Sequence, residues 1–204
     1  MQPIFIHPAE IATNIPAGAI AYYSTVNGLR PMYIAIGNIT YQLGNVVLCT
    51  HDIIGGFASR LFKCRIEVKG IGIDIVLNYR IRNHQWSILA CNDRSFLASI
   101  GNYSIGYPVD SFYPVPYVAP IKRLPGHPTD IITTAAIDGK LRIDYIRYED
   151  IRQAKHTHKV AFSHLRRADE LTEVYDCEYI SDNVLRYITI NFDVQNQLWM
   201  LDKY

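Results

Sequence analysis

Residues 61–91, LFKCRIEVKGIGIDIVLNYRIRNHQWSILAC, hold three runs dominated by Val, Ile, Leu and aromatic residues: 61–68, 71–79 and 85–91. The breaks between them carry Gly70 and the polar stretch from Arg80 to His84. Branched and aromatic side chains pack well on a pleated surface, and glycine supplies the positive φ that a tight reversal needs. The spacing therefore predicts consecutive antiparallel strands, with Gly70 and Gly72 bending the chain between two of them. A parallel sheet would require a helix after each strand, and no such helical run intervenes.

The same texture extends toward the N-terminus. Ile20 to Tyr23, Met32 to Ile36 and Asn45 to Cys49 read as strands, and Asn27-Gly28 as the turn between the first two. Toward the C-terminus, residues 99–128 collect six of the ten prolines and are predicted to form an extended connector. Strands resume at Asp130 to Ala136 and, after the Asp138-Gly139 turn, at Lys140 to Tyr145. Residues 148–175 are different. Ile151, Ala154, Val160, Leu165, Leu171 and Val174 suit one or two amphipathic helices, with Glu149 and Asp150 near a helix start and Lys155 further on. Val184 to Ile190 and Gln197 to Leu201 close the chain as a strand pair. The expectation is a mainly β protein, a compact antiparallel barrel or split barrel with a minor helical element. Its subdomains would be 1–98 and 129–204, joined by the 99–128 connector, with the helical insertion after residue 148.

Composition limits the function classes. The chain has 204 residues, nearly half of them apolar, so it can bury about 70% of its unfolded surface and needs no staple to fold. A net charge of +1 gives no global field toward double-stranded nucleic acid or lipid, so any phosphate-binding patch must be local. Cys49, Cys64, Cys91 and Cys177 form no close CxxC pair and are expected as buried free thiols in a reducing compartment. MQPIFIHPAE lacks a basic n-region and is broken by Pro3 and Pro8, and no run of roughly 18 apolar residues occurs. A cytoplasmic protein without a membrane partner is expected.

Candidate chemistry begins with GNVVLCTHDII, residues 44–54, a strand ending near His51, and with GIGIDIVL, in which Asp74 follows 23 residues later. A histidine needs an acid to fix its tautomer before it can act as a general base. The stretch from Gly44 to Leu77 resembles the chymotrypsin-like proteases, especially the compact enzymes of positive-strand RNA viruses. That resemblance implies a protease-like barrel with His51 near Asp74. The nucleophile expected of such enzymes sits in a Gly-rich turn, and neither GxSG nor GxCG occurs. Cys91 and Cys177 are the remaining candidates for a cysteine peptidase with an atypical nucleophile. A protease fold that has lost its chemistry and acts as a binding or interaction module, with a protein partner, is a further alternative.

GKLRIDYIRYEDIRQAK, residues 139–155, resembles a second group of related fold, the poxins, which open the cyclic dinucleotide cGAMP without metal. The resemblance implies that Tyr148 matches the family tyrosine and that Arg152 stands where the family has lysine. It favours His7, in FIHPAEI, over His51 as the base. Cleavage by internal 2′-hydroxyl attack would then use His7 or His51 as base, Tyr148 to orient the hydroxyl, and Arg152 or Lys155 against the phosphoryl charge. Arginine grips phosphate but is a poor proton donor. The plainer reading is that Tyr148 packs at a strand end and Arg152 faces solvent.

KHTHK, residues 155–159, carries His156 and His158. On a helix they diverge, whereas on a strand they share a face, and the HExxH spacing of a metalloprotease is missing. No metal or cofactor is expected. Lys155, Lys159, Arg166 and Arg167 form a local basic patch suited to a cyclic dinucleotide or another small phosphate ligand, or equally an ordinary solvated face. In the connector, Tyr107 and its neighbouring tyrosines can stack on bases or cover the core. No GxGxxG or P-loop motif is present.

Overall fold

The computed structural model describes residues 11–54, 57–100, 126–150 and 152–202, with side chains from residue 14 onward except 49–54 and 57. His7 and Tyr107 lie outside the described residues, as does most of the 99–128 connector. The described residues form fourteen strands: β1 Ile11–Ser24, β2 Gly28–Ile36, β3 Ile39–Gln42, β4 Gly44–Ile54, β5 Phe57–Val68, β6 Ile71–Arg80 and β7 Gln85–Cys91, then β8 His127–Pro128, β9 Asp130–Ala135, β10 Leu141–Glu149, β11 Lys155–Ala168, β12 Thr172–Ser181, β13 Val184–Asp193 and β14 Leu198–Leu201. Among the described residues one α-helix, α1, spans Arg94–Ser99. The protein is mainly β. Among the described residues no helix is long and apolar enough to cross a membrane.

Two compact units divide the chain. Unit 1 comprises Met1–Ala19, Pro31–Tyr117 and Ala135–Lys140, and unit 2 comprises Ile20–Arg30, Val118–Thr134 and Leu141–Tyr204.

Unit 1 is built on the antiparallel meander β4-β5-β6-β7, with β1 beside β7. The β5–β6 ladder runs without a slip from Ser59↔Arg80 to Val68↔Ile71 and closes on Lys69 and Gly70, both at positive φ. Gly70 thus makes the turn, whereas Gly72 lies within β6 and lets the Arg65 guanidinium cross its backbone, where a side chain would clash. Between β6 and β7 a single 3-10 turn, Ile81–Asn83, ends on left-handed His84, whose Nδ1 is hydrogen-bonded to the Tyr79 hydroxyl at 2.7 Å. Leu61, Leu77, Tyr79 and Ile88 are fully buried, and Trp86 stacks at 4.6 Å on Tyr79 and 5.8 Å on Phe62. Alpha-helix α1 is capped by Asp93, whose carboxylate accepts the Phe96 N–H at 2.9 Å.

In unit 2 the strand order is β9-β10-β11-β12-β13-β14-β8. Tyr23, Tyr175, Phe192 and Trp199 form its aromatic core, with Trp199 at 4.8 to 5.7 Å from the other three rings. The expected closing strand pair is present as β13–β14, registered Ile190↔Leu201 to Asp193↔Leu198. The β12–β13 hairpin turns on Asp182 and Asn183, both left-handed, which asparagine and aspartate tolerate better than other side chains.

Two expectations are corrected. The helical insertion after residue 148 is instead the β10–β11 hairpin and the long strand β11. Asp150 does not open a helix: its carboxylate accepts the N–H groups of Arg152 and Ala154 at 2.8 and 2.9 Å, and Gln153 adopts a φ of 63°, which reverses the chain. Leu165 and Leu171 are exposed whereas Val160 and Val174 are buried, so the apparent apolar stripe does not form one covered face. Second, among the described residues the strands do not close into a hydrogen-bonded barrel.

The three cysteines with described side chains, Cys64, Cys91 and Cys177, are buried and outside any disulfide, as expected.

Candidate functional site

The histidine and aspartate of the protease-like reading do not meet. His51 is registered with Arg60, and Arg60 with Tyr79, while Asp74 is registered with Arg65, whose partner on β4 is Gly44. The two therefore lie five residues apart along β6, roughly 17 Å at the rise of a strand. Asp74 instead sits on the surface with Arg65 at 3.6 Å. The register is offset by bulges between Gly44 and Val47 and between Leu48 and Thr50.

The chemistry-bearing side chains that do converge lie in unit 2, on the β10–β11 hairpin. The ladder sets Tyr148 opposite His156 and Ile146 opposite His158. Because β11 is a strand, residues two apart share a face. The Tyr148 ring is stacked on His156 at 5.3 Å and tilted against His158 at 5.8 Å. The two imidazoles lie side by side, 6.1 Å between centroids and within 9° of parallel. His158 packs further on buried Tyr179 at 4.4 Å. Tyr179 is registered with Arg186 across the β12–β13 ladder, which brings that cation to the cluster.

The two imidazoles sit in different fields. His156 donates from Nε2 to Asp150 Oδ2 at 3.0 Å. That bond, together with the turn N–H groups of Ala154 and Arg152, holds the Asp150 carboxyl below the usual range. His158 has the opposite environment. Burial first, then the nearby His156 and Arg186, push its pKa below the ordinary imidazole value, with Asp182 opposing only in part. Burial and the adjacent Tyr148 push the Tyr179 hydroxyl up, keeping it a neutral donor. The arrangement sets an imidazole whose charged form is disfavoured beside a carboxylate-bonded imidazole, with a phenol ring against both and a cation near them.

The other predicted residues are placed as follows. Arg152 is exposed in the turn, two residues from Asp150. Lys155 and Lys159 alternate with the histidines and so belong to the opposite face of β11. There Lys155, Arg147 and Asp130 line a groove of about 350 Å³ with Tyr148 at its margin. Asp130 is anchored in it by the Tyr22 hydroxyl at 2.6 Å and the Thr25 N–H at 2.8 Å. Arg166 and Arg167 lie farther along, paired with Asp176 at 3.2 Å and Asp169 at 3.9 Å. The basic residues of 155–167 are therefore divided between two faces rather than gathered in one patch.

Sequence reasoning did not assign Asp150, His156, His158, Tyr179 and Arg186 to this site. Arg186 had a signal, since an Asp-Asn turn at 182–183 pairs Tyr179 with Arg186 once it is read as a hairpin.

The depressed His158 pKa has a consequence for stability. As pH falls through the ordinary imidazole range the unfolded chain takes up a proton that the folded one refuses, so stability falls with pH there. Melting temperature measured between about pH 7.5 and 5 should decline less steeply in His158→Gln than in the parent. Equal slopes would show that His158 is not held neutral by the fold.

Compared with protein-family models, with curated proteins and with solved structures, the chain matches none.

Proposed function

We propose that this protein is a metal-independent nuclease that opens a cyclic dinucleotide of the 2′,3′-cGAMP kind by internal attack of a 2′-hydroxyl. The observation that carries the reading is the His156–His158 pair, side by side beneath Tyr148 and held in opposite electrostatic environments. An imidazole whose charged form is disfavoured can serve as base, and one hydrogen-bonded to a carboxylate is oriented as a donor. His158 takes the proton of the 2′-hydroxyl, O2′ bonds to phosphorus, and the bond from phosphorus to the 5′-oxygen breaks. His156, backed by Asp150, returns a proton to that leaving oxygen. The products are a 2′,3′-cyclic phosphate end and a free 5′-hydroxyl. The two rings lie 6.1 Å apart and nearly parallel, close enough for both to serve one bound nucleotide from the same face of the hairpin. Tyr148 orients the attacking hydroxyl, and Arg186 opposes the charge that develops on the phosphoryl oxygens.

In this reading the base expected at His7 or His51 is His158, and the arginine at position 152 is not required as a proton donor because His156 supplies the proton. The poxin resemblance of residues 139–155 supports the substrate class. The chymotrypsin-like ancestry belongs to the same proposal, supported by two antiparallel β units in one chain. Incubation with 2′,3′-cGAMP in EDTA, resolved by thin-layer chromatography, should give a linear product. Intact substrate at high protein concentration would remove the nuclease reading.

A second reading is favoured by Arg152: a binding module of the same ancestry that holds a phosphate ligand with always-charged guanidinium groups and does not turn it over. Calorimetry showing cyclic-dinucleotide binding without product would select it. A cysteine peptidase has no support from the thiols. Cys91 is fully buried, and burial pushes the Cys177 thiol up to about 12, so neither is presented as a thiolate.

A further inference from the structure

The opposite face of β11, β12 and β13 carries a surface that the nuclease reading does not use. Alternation along the ladders places Phe162, Glu178 and Tyr187 on one rung, His164, Asp176 and Thr189 on the next, and Ile180 with Leu185 on the rung toward the hairpin turn. Cys177 and Tyr179 point the other way, into the protein. On this face Phe162 is 55% exposed, Ile180 61%, Leu185 47% and Tyr187 72%. A sheet face built of branched and aromatic residues is ordinarily covered. At about 200 Å² for a whole aromatic side chain, the four leave roughly 400 Å² of apolar side chain open to water, as much as a whole monomer ordinarily shows in its largest patch.

We propose that a second copy of this chain covers this face, in an isologous dimer with the apolar rungs packed against each other. A standard interface takes about 800 Å² from each partner, an apolar core inside a polar rim. The four apolar side chains supply about half of that area. The adjoining groove of about 520 Å³, lined by His164, Asp176, Glu178 and Thr189, supplies the rim. The rim has both signs, with Arg166 and His164 beside Asp176 at 3.2 and 3.9 Å, and Glu178 between the two aromatics. A two-fold contact sets such a surface against itself, so apolar side chains meet apolar ones and mixed charges meet mixed charges. A net charge of +1 per chain adds little repulsion between copies.

Light scattering after size exclusion at ~50 µM chain, a concentration above the micromolar Kd that an interface of this size supports, should give twice the 23.3 kDa of the chain. The double variant Ile180→Asp, Tyr187→Asp should be monomeric, weakening self-association at least tenfold, with unchanged circular dichroism because both side chains are solvent-exposed. Ile71→Asp, on an exposed position of unit 1, should remain dimeric. A monomeric parent chain would assign the face to some other partner and overturn the proposal. A dimer that survives the double variant, or an assembly larger than two, would overturn it as well.

Discussion

Replacing His158 with glutamine should lower kcat for cyclic-dinucleotide cleavage by about 10² to 10⁴, the usual contribution of a positioned general base, with KM nearly unchanged. Glutamine retains polarity and approximate size, so its packing on Tyr179 survives while the proton acceptor is lost. The stronger test is the shape of the pH profile. The proposed mechanism needs a neutral base and a protonated acid, which gives the parent chain a bell-shaped profile. Its acid limb belongs to His158 and should lie below the ordinary imidazole range, because burial, His156 and Arg186 all disfavour the charged ring. His158→Gln should lose the acid limb. If His158→Gln keeps kcat within threefold of the parent, the base lies elsewhere and the pair is a packing feature. Tyr148→Phe separates the roles further, since the ring stack on His156 persists while any orientation of the 2′-hydroxyl is lost.

The antiparallel meander was legible from residue types alone, because in 61–91 the apolar runs, the glycine turn and the lack of helical periodicity agree with one another. The histidine site was half legible. KHTHK brings its imidazoles together only on a strand, and the strand signal of β11 is weak because its alternation rests on His156, His158 and Thr157 rather than on apolar side chains. The spacing of Val160, Leu165 and Leu171 imitated a helix, although the last two face solvent. Asp150 was ambiguous for a physical reason: the same short carboxylate that caps a helix also closes a turn, and here it accepts the N–H groups of a reversal and then holds His156. Register was not legible. Two bulges in β4 set which residue of β5 faces His51, and neither Gly44–Val47 nor Leu48–Thr50 signals a bulge by its residue types. Arg186 depends on a cross-strand pairing that only the hairpin turn fixes.

The largest effect on stability should come from Trp199→Ala. Trp199 is 1% exposed and lies at the centre of the unit 2 core, with Tyr23, Tyr175 and Phe192 packed on its ring. Removing it deletes the transfer free energy of the largest side chain and leaves a cavity bounded by three rings that are themselves fixed. Tyr175 is tied by its hydroxyl to Glu173 at 2.8 Å, and Phe192 is held in the β12–β13 ladder opposite Glu173, so the walls have little freedom to collapse. Substitutions of this type cost about 3 to 5 kcal/mol, a large part of the 5 to 15 kcal/mol that typically holds a domain folded. Urea titration should show the midpoint of unit 2 displaced accordingly. Trp199→Phe, which keeps a ring in the cluster, should recover more than half of the loss. A loss below about 1 kcal/mol for Trp199→Ala would mean that the three rings close the space. It would also mean that β13 and β14, which carry Phe192 and Trp199, are held chiefly by their ladder hydrogen bonds.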